Sequence, residues 1–223
     1  MNAEARGRDE PATGYDNFPA GYFDPADASD DAIFYQPDRL VTHIDEEATA
    51  AVGALYTELG IDGVVLDLMS SWISHFVETP QELTVLGMNP GELDANPQAV
   101  ERVVHDLNRN PELPFADAAF DDVVCCVSVD YLTKPLEIFT EVARVLRPGG
   151  RFVCTFSNRC FPTKAVRGWL TLDDGQRMEL VGVYFERAGG FAPATLDVRL
   201  PVGPSDPLYA VWATKLGPGE PTE

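Results

Sequence analysis

Five short apolar runs, each separated from the next by a polar turn or a stretch with helical spacing, limit what this chain can fold into. Val64, Val65, Leu66 and Leu68 form the first; residues 83–88, a weaker run at 103–106, residues 121–129 and residues 151–156 follow. Runs this continuous read as strands buried on both faces rather than strands with one wet side. The intervening stretches carry apolar residues at helical spacing. Asp45 caps the first, in which Val52, Leu55, Tyr56 and Leu59 share a face and Gly60 ends the helix. A Ser pair opens a short helix over 71–78, a turn at 89–94 enters another, and Pro135 starts a third with Ile138, Phe139, Val142, Val145 and Leu146 on one side. The sequence 148–150, Pro-Gly-Gly, ends that helix, and further helices are predicted over 165–170 and 174–187. The last two apolar runs, 195–200 and 208–214, have no helix between them and are most simply an antiparallel pair. The expected fold is α/β: a doubly wound, seven-stranded, mostly parallel sheet with an antiparallel C-terminal pair.

The ends of the chain read differently. Residues 1–31 are rich in Asp, Ala, Gly and Pro and are expected to be largely disordered, and residues 218–223 to form a flexible tail. One domain is expected over 32–217, including an arm before Asp45 that carries Phe34, Tyr35, Leu40, Val41 and Ile44.

Charge narrows the partners. Thirty-six acids against sixteen bases give a net charge of −20, which repels nucleic acid and anionic membrane surfaces. No apolar run approaches the ~20 residues needed to span a bilayer, and the N-terminus lacks the apolar segment of a signal peptide, so a soluble cytoplasmic protein is expected. Only Lys134, Lys164 and Lys215 stand among the bases. Adaptation to a salt-rich cytoplasm and codon bias towards Arg both account for that. Cys125, Cys126 and Cys154 lie in strand-like runs as buried thiols, Cys160 lies in a loop, and no cysteine or histidine spacing suggests a metal.

Within this frame Asp67 is the informative residue. It closes the first strand, at the carboxyl edge where open α/β sheets bind ligands, and the Ser70–Ser71 pair follows where a helix N-terminus would offer free N–H groups.

Two further runs carry a resemblance: Leu113-Pro-Phe-Ala-Asp-Ala-Ala-Phe-Asp-Asp-Val-Val124, and Glu141-Val-Ala-Arg-Val-Leu-Arg-Pro-Gly-Gly150. At this separation they resemble the fourth strand, following helix and fifth-strand turn of the class I S-adenosylmethionine-dependent methyltransferases, in the branch containing many small-molecule methyltransferases. The similarity covers residues 45–216. It implies S-adenosylmethionine as cofactor, held by Asp67, Ser70, Ser71, Asn89, Asp106, Leu107 and Ser128, with Asn89 towards the ribose hydroxyls and Asp106 towards the adenine amino group. It also implies a small-molecule substrate, with Asp130 and Tyr131 on the acceptor side and Asp130 as the first choice for a base or acceptor-orienting group. Asn158, Arg159, His75 and His43 are further candidates near the cleft.

The chain departs from the family pattern in three places. Met69, Ser70 and Ser71 stand where the first loop is usually Gly-rich, Asn89 stands where an acid is usual, and three extra residues separate Asp106 from Leu113. The motif Asp-Leu-x-Ser-Ser-Trp-x-Ser-His is similar to that of a subgroup of the family, and that similarity extends to residues 130–132 and 156–164. Two other readings stand beside the methyltransferase: a binding module of the same fold with a degenerate cofactor loop, and a hydrolase using Ser70 or Ser71 with His75 on one helix face.

Overall fold

A computed structural model of the chain describes residues 14–219. Its centre is a seven-stranded sheet in the order β3-β2-β1-β4-β5-β7-β6, formed by β1 (Val64–Leu68), β2 (Glu82–Gly87), β3 (Glu101–Val104), β4 (Phe120–Cys126), β5 (Leu146–Phe156), β6 (Thr195–Leu200) and β7 (Leu208–Thr214). The first five strands are parallel, and β7 runs antiparallel to both β5 and β6, as the absence of a crossover helix after residue 195 requires. The chain winds outward from β1 to β3 and then returns to place β4 on the other side of β1. That reversal opens a crevice at the carboxyl ends of β1 and β4.

Helices cover both faces. α2 (Glu46–Glu58), with Asp45 accepting from the Ala48 N–H as its N-cap, packs Val52, Leu55 and Tyr56 beneath Val65, Val85 and Val153. On the opposite face α4 (Pro135–Val145) and α6 (Asp174–Ala188) bury Phe139, Val142, Tyr184 and Phe185 against Phe152 and Cys154. Two short helices, α1 (Asp31–Phe34) and α3 (Pro90–Ala95), stand beside the crevice, and α5 (Arg167–Leu170) follows β5. Among the described residues no helix is long and apolar enough to cross a membrane.

Arg144 explains why the two runs around 113–124 and 141–150 travel together. From the last turn of α4 its guanidinium bonds Glu141 (2.7 Å), Asp117 (2.8 Å) and the carbonyls of Leu113 and Phe115, so the helix holds the turn that feeds β4.

Three expectations need correction. Residues 71–78 form no helix. Met69 and His75 adopt positive φ (57° and 60°), the Ser71 carbonyl accepts from Asn96 Nδ2, Trp72 turns to the arm, and Phe76 docks on Tyr56 at 4.8 Å between ring centroids. Their spacing mimics a helical face, yet each side chain has a different partner. Residues 148–150 do not end a helix in a free turn but lie within the long β5 as a bulge, where Gly149 has φ 85°. Residues 14–31, finally, are packed rather than disordered. Tyr15, Phe18, Tyr22 and Phe23 form an aromatic cluster against Tyr184, Tyr15 donates to Glu137, and the Tyr22 carbonyl accepts from Gly168 N–H (2.8 Å). The four rings offset the polar composition by burying apolar surface together. Residues 1–13 and 220–223, where the remaining disorder and most of the flexible tail were expected, lie outside the described residues.

Candidate functional site

The crevice at the strand ends opens into a cavity of about 420 Å³, within the range of small-molecule sites. Its floor comes from the residues after β1, β2, β3 and β4: Met69 to Ser71, Met88 and Asn89, His105 to Asn108, and Val127 and Ser128. Its roof is the N-terminal arm, which contributes Tyr35, Arg39 and His43, and its far wall is Tyr131 with residues 159–161. A smaller cavity adjoins it, sharing Met69, Ser70, Ser71 and Ser128 and adding Asp67, Trp72 and His75.

The first loop approaches closely without glycines of its own. Ser70 lies across β2, its N–H donating to the Leu86 carbonyl (2.8 Å), and a β-carbon on Gly87 would overlap the Ser70 carbonyl oxygen. The glycine this crossing needs therefore stands on the neighbouring strand. Gly87→Ala is expected to push the loop off β2 and cost about 1–3 kcal/mol of stability, read as a shift in the denaturant midpoint; an unshifted midpoint would show that the loop gives way freely.

Asp67 is 3% exposed and accepts from Ser70 Oγ (2.6 Å). Burial pushes its carboxyl up to about 7, against the opposing hydrogen bonds of Ser70 and Ser74. Ser71 Oγ donates to Glu92 Oε2 (2.5 Å), whose other oxygen accepts from the Arg39 N–H (2.7 Å). Ser128 Oγ donates to the Cys126 carbonyl (3.0 Å). Asp106 Oδ1 takes the N–H groups of Asn108 and Arg109 while Leu107 is buried beneath, and both residues line the cavity.

Asn89 lines the cavity, but its side chain is occupied. Oδ1 caps α3 by accepting from Glu92 N–H (3.1 Å), and Nδ2 donates to the carbonyls of Tyr35 (3.0 Å) and Gln36 (3.2 Å). The structure thus uses the amide to hold the roof. The acid facing the cavity near the end of β2 is Glu92, three residues on, which sequence reasoning missed; an acid in the first turn of the helix after β2 was the available signal.

On the acceptor side, Tyr131 lines the cavity and its hydroxyl accepts from Phe161 N–H (2.8 Å). Burial raises its phenol pKa, so it is no base at neutral pH. Asp130 is buried behind the wall rather than lining it. Burial pushes its carboxyl up to about 7, and among the described residues its Oδ2 has no hydrogen-bond partner. His43, by contrast, stands edge-on to Phe161 at 5.3 Å on the cavity side, and partial burial lowers its pKa, with Arg39 adding to the effect and Glu92 opposing it. Cys160 lines the cavity too, and burial raises its thiol away from the reactive thiolate.

The Ser–His pairing on one helix face is absent, because that helix does not form, Ser71 donates to Glu92, and the buried Nδ1 of His75 has no partner among the described residues.

Comparison with known proteins bears on the family likeness and the fold. Residues 63–154 match the family model described as a methyltransferase domain. A methyltransferase, GfsG, of Streptomyces halstedii is 26% identical over 91% of this chain and 77% of its own length. In sequence over residues 63–154 and in fold, the chain is similar to the class I S-adenosylmethionine-dependent methyltransferases. A demethylmenaquinone methyltransferase of a Mycobacterium species (strain JLS) is 35% identical over 52% of this chain, which spans about half (51%) of that relative. The crystal structure of a SAM-dependent methyltransferase from Aquifex aeolicus superposes with a TM-score of 0.52 at 16% identity, covering 73% of this chain and 88% of that one, a likeness of fold.

Proposed function

We propose that this protein transfers a methyl group from S-adenosylmethionine to a small molecule held under the N-terminal arm. The observation that carries the reading is a buried carboxylate, Asp67, with no ion-pair partner among the described residues, beside a nucleoside-sized cavity. A buried acid with no cation of its own suits a cationic ligand. When bound, the cofactor supplies an electrophilic methyl on a sulfonium. Asp67 and Ser70 would hold its methionine end and Ser128 would border it; Glu92 and Ser71 would take the ribose hydroxyls, with Asn89 positioning both through α3 and the arm. Asp106 would accept from the adenine amino group over Leu107.

Transfer itself needs the acceptor in line and its proton removed. Tyr131 and Phe161 would orient the acceptor against their rings, and His43, whose pKa burial lowers, is the side chain suited to take the proton. Asp130, behind the wall, is better suited to holding Tyr131 than to touching the acceptor.

Thermal melts test this directly. S-adenosylmethionine or S-adenosylhomocysteine at ~100 times its dissociation constant is expected to stabilise the protein by ~2.7 kcal/mol, a rise in Tm of roughly 5–10 °C. No shift at millimolar ligand would instead favour a binding module of this fold, a reading supported by the absence of glycines in the first loop.

A further inference from the structure

We infer that Arg159, with Arg39, forms a carboxylate-binding subsite on the far wall of the cavity, and that the methyl acceptor is an organic acid; the second part rests on the function proposed above. The chain carries a net charge of −20 and so has acids to spare for its cations, yet the two arginines lining this cavity keep donors free. Arg159 follows β5. Its Nε donates to Asp206 Oδ1 (2.8 Å), and among the described residues its two terminal NH2 groups have no protein acceptor.

Asp206 is itself rigidly placed. Its backbone N–H donates to Asp45 Oδ2 (2.7 Å), its Oδ2 accepts from Asp45 N–H (3.1 Å), and Asp45 is the N-cap of α2. One edge of the guanidinium is therefore fixed to the scaffold, while the side chain as a whole is 64% exposed and its terminal NH2 groups are left for a ligand at the cavity rim. This geometry leaves the paired N–H fork that a carboxylate accepts in bidentate fashion.

Arg39 supplies the second charge. Its guanidinium donates to the carbonyls of Phe34 (2.6 Å) and Pro37 (3.3 Å) and lies over the rings of Phe34 (4.6 Å) and Phe161 (5.7 Å). Among the described residues no carboxylate pairs with that guanidinium. The acids lining the same cavity are engaged elsewhere: Asp31 with Lys164 and Asn108, Glu92 with Ser71 and the Arg39 backbone, and Asp106 with its own turn. Phe161, between Arg39, His43 and Tyr131, gives the same wall an apolar face. Cationic forks beside aromatic rings fit a carboxylate on a planar or apolar body.

A carboxylate could reach this wall from the acceptor or from the methionine end of the cofactor, and one set of titrations separates the two. S-adenosylhomocysteine and 5′-methylthioadenosine, which lacks the amino-acid carboxylate, are titrated calorimetrically into wild type, Arg159→Gln and Arg39→Gln. Benzoate and benzamide are then titrated into each protein with and without S-adenosylhomocysteine. The expected result is that both nucleosides bind Arg159→Gln as they bind wild type, and that wild type prefers benzoate to benzamide by about tenfold or more, a preference Arg159→Gln loses. A loss of S-adenosylhomocysteine but not methylthioadenosine in the variants would keep the carboxylate subsite and assign it to the cofactor, removing the organic-acid acceptor. Equal binding of benzoate and benzamide to wild type, or no binding of either, together with unmoved nucleoside affinities in both variants, would overturn the subsite. If wild type binds neither nucleoside, the proposed function fails, while the benzoate preference still decides the subsite on the unliganded protein.

Discussion

Asp67→Asn is expected to weaken S-adenosylmethionine binding by about a hundredfold at pH 8 and to match wild type at pH 5. The first figure follows from removing one partner of a buried charge pair, worth about 2–5 kcal/mol. The second follows from the proton balance. Burial pushes the Asp67 carboxyl from its ordinary 3.8 up to about 7, so below neutrality the native protein holds a neutral acid that Asn imitates. Wild-type affinity for the cation should therefore fall by up to about tenfold per pH unit below 7, and the Asn variant should show a flatter profile.

The same shift has a consequence for the ligand-free fold, and its sign is opposite to that of an ordinary salt-bridged acid. Because the folded pKa is raised, the contribution of Asp67 to stability is full below about pH 4 and is lost as pH rises through 7, where the native state must ionise a buried group. Asp130, also pushed up to about 7 by burial, acts with the same sign, so the difference between wild type and Asp67→Asn isolates one residue. Calorimetric titrations with the ligand and urea midpoints without it, both across pH 5–8, measure the two effects. Parallel pH profiles for the two proteins would remove Asp67 from the cofactor site.

Much of this architecture was legible because β1, β2, β4 and β5 are buried on both faces and therefore spelled by unbroken apolar runs. Helices such as α4 and α6 carry one-sided faces that physics allows only against such a sheet. The position of Asp67 followed from the same logic, since the end of a buried strand is a costly place for an acid with no task. What escaped reading depended on partners distant in sequence. Trp72 and Phe76 sit at helical spacing, but one answers to Val41 and the other to Tyr56, and nothing local distinguishes that from a helix. Gly87 replaces the missing loop glycines from another strand, a relation visible only once β1 and β2 lie side by side. Asn89 stood at the expected place, yet the arm, 53 and 54 residues earlier, claims both of its N–H groups. The aromatic residues 15, 18, 22 and 23 stand at helical spacing, but Pro19 and Gly21 interrupt them and the segment folds as turns, so composition alone misread it.

The buried Lys164 is where that arm is secured, and its loss is expected to be strongly destabilising. Its side chain is 2% exposed and its ammonium bonds Asp31 (2.9 Å), Asp27 (3.2 Å) and the Ser29 carbonyl (2.9 Å), which ties the loop after β5 to the segment entering α1. Lys164→Met removes the cation but leaves two acids facing an apolar stem. Breaking a buried pair in this way costs about 3–5 kcal/mol, and the partial exposure of Asp27 and Asp31 places the expected value near the lower end. Arm and roof are one piece of chain: Tyr35, Arg39 and His43 follow Asp31 directly. Lys164→Met should therefore lower the urea midpoint, expose the arm to limited proteolysis and weaken S-adenosylhomocysteine binding together. Adding Asp27→Asn and Asp31→Asn to Lys164→Met removes the unpaired charges and should recover part of the stability. Recovery of the midpoint without recovery of nucleoside binding would mean that the ion pairs position the roof as well as stabilise it, since neutral amides can satisfy the polar groups without pulling the arm onto β5. An arm that stays protease-resistant in Lys164→Met, with an unchanged midpoint, would mean that the aromatic contacts of residues 15–23 hold it unaided.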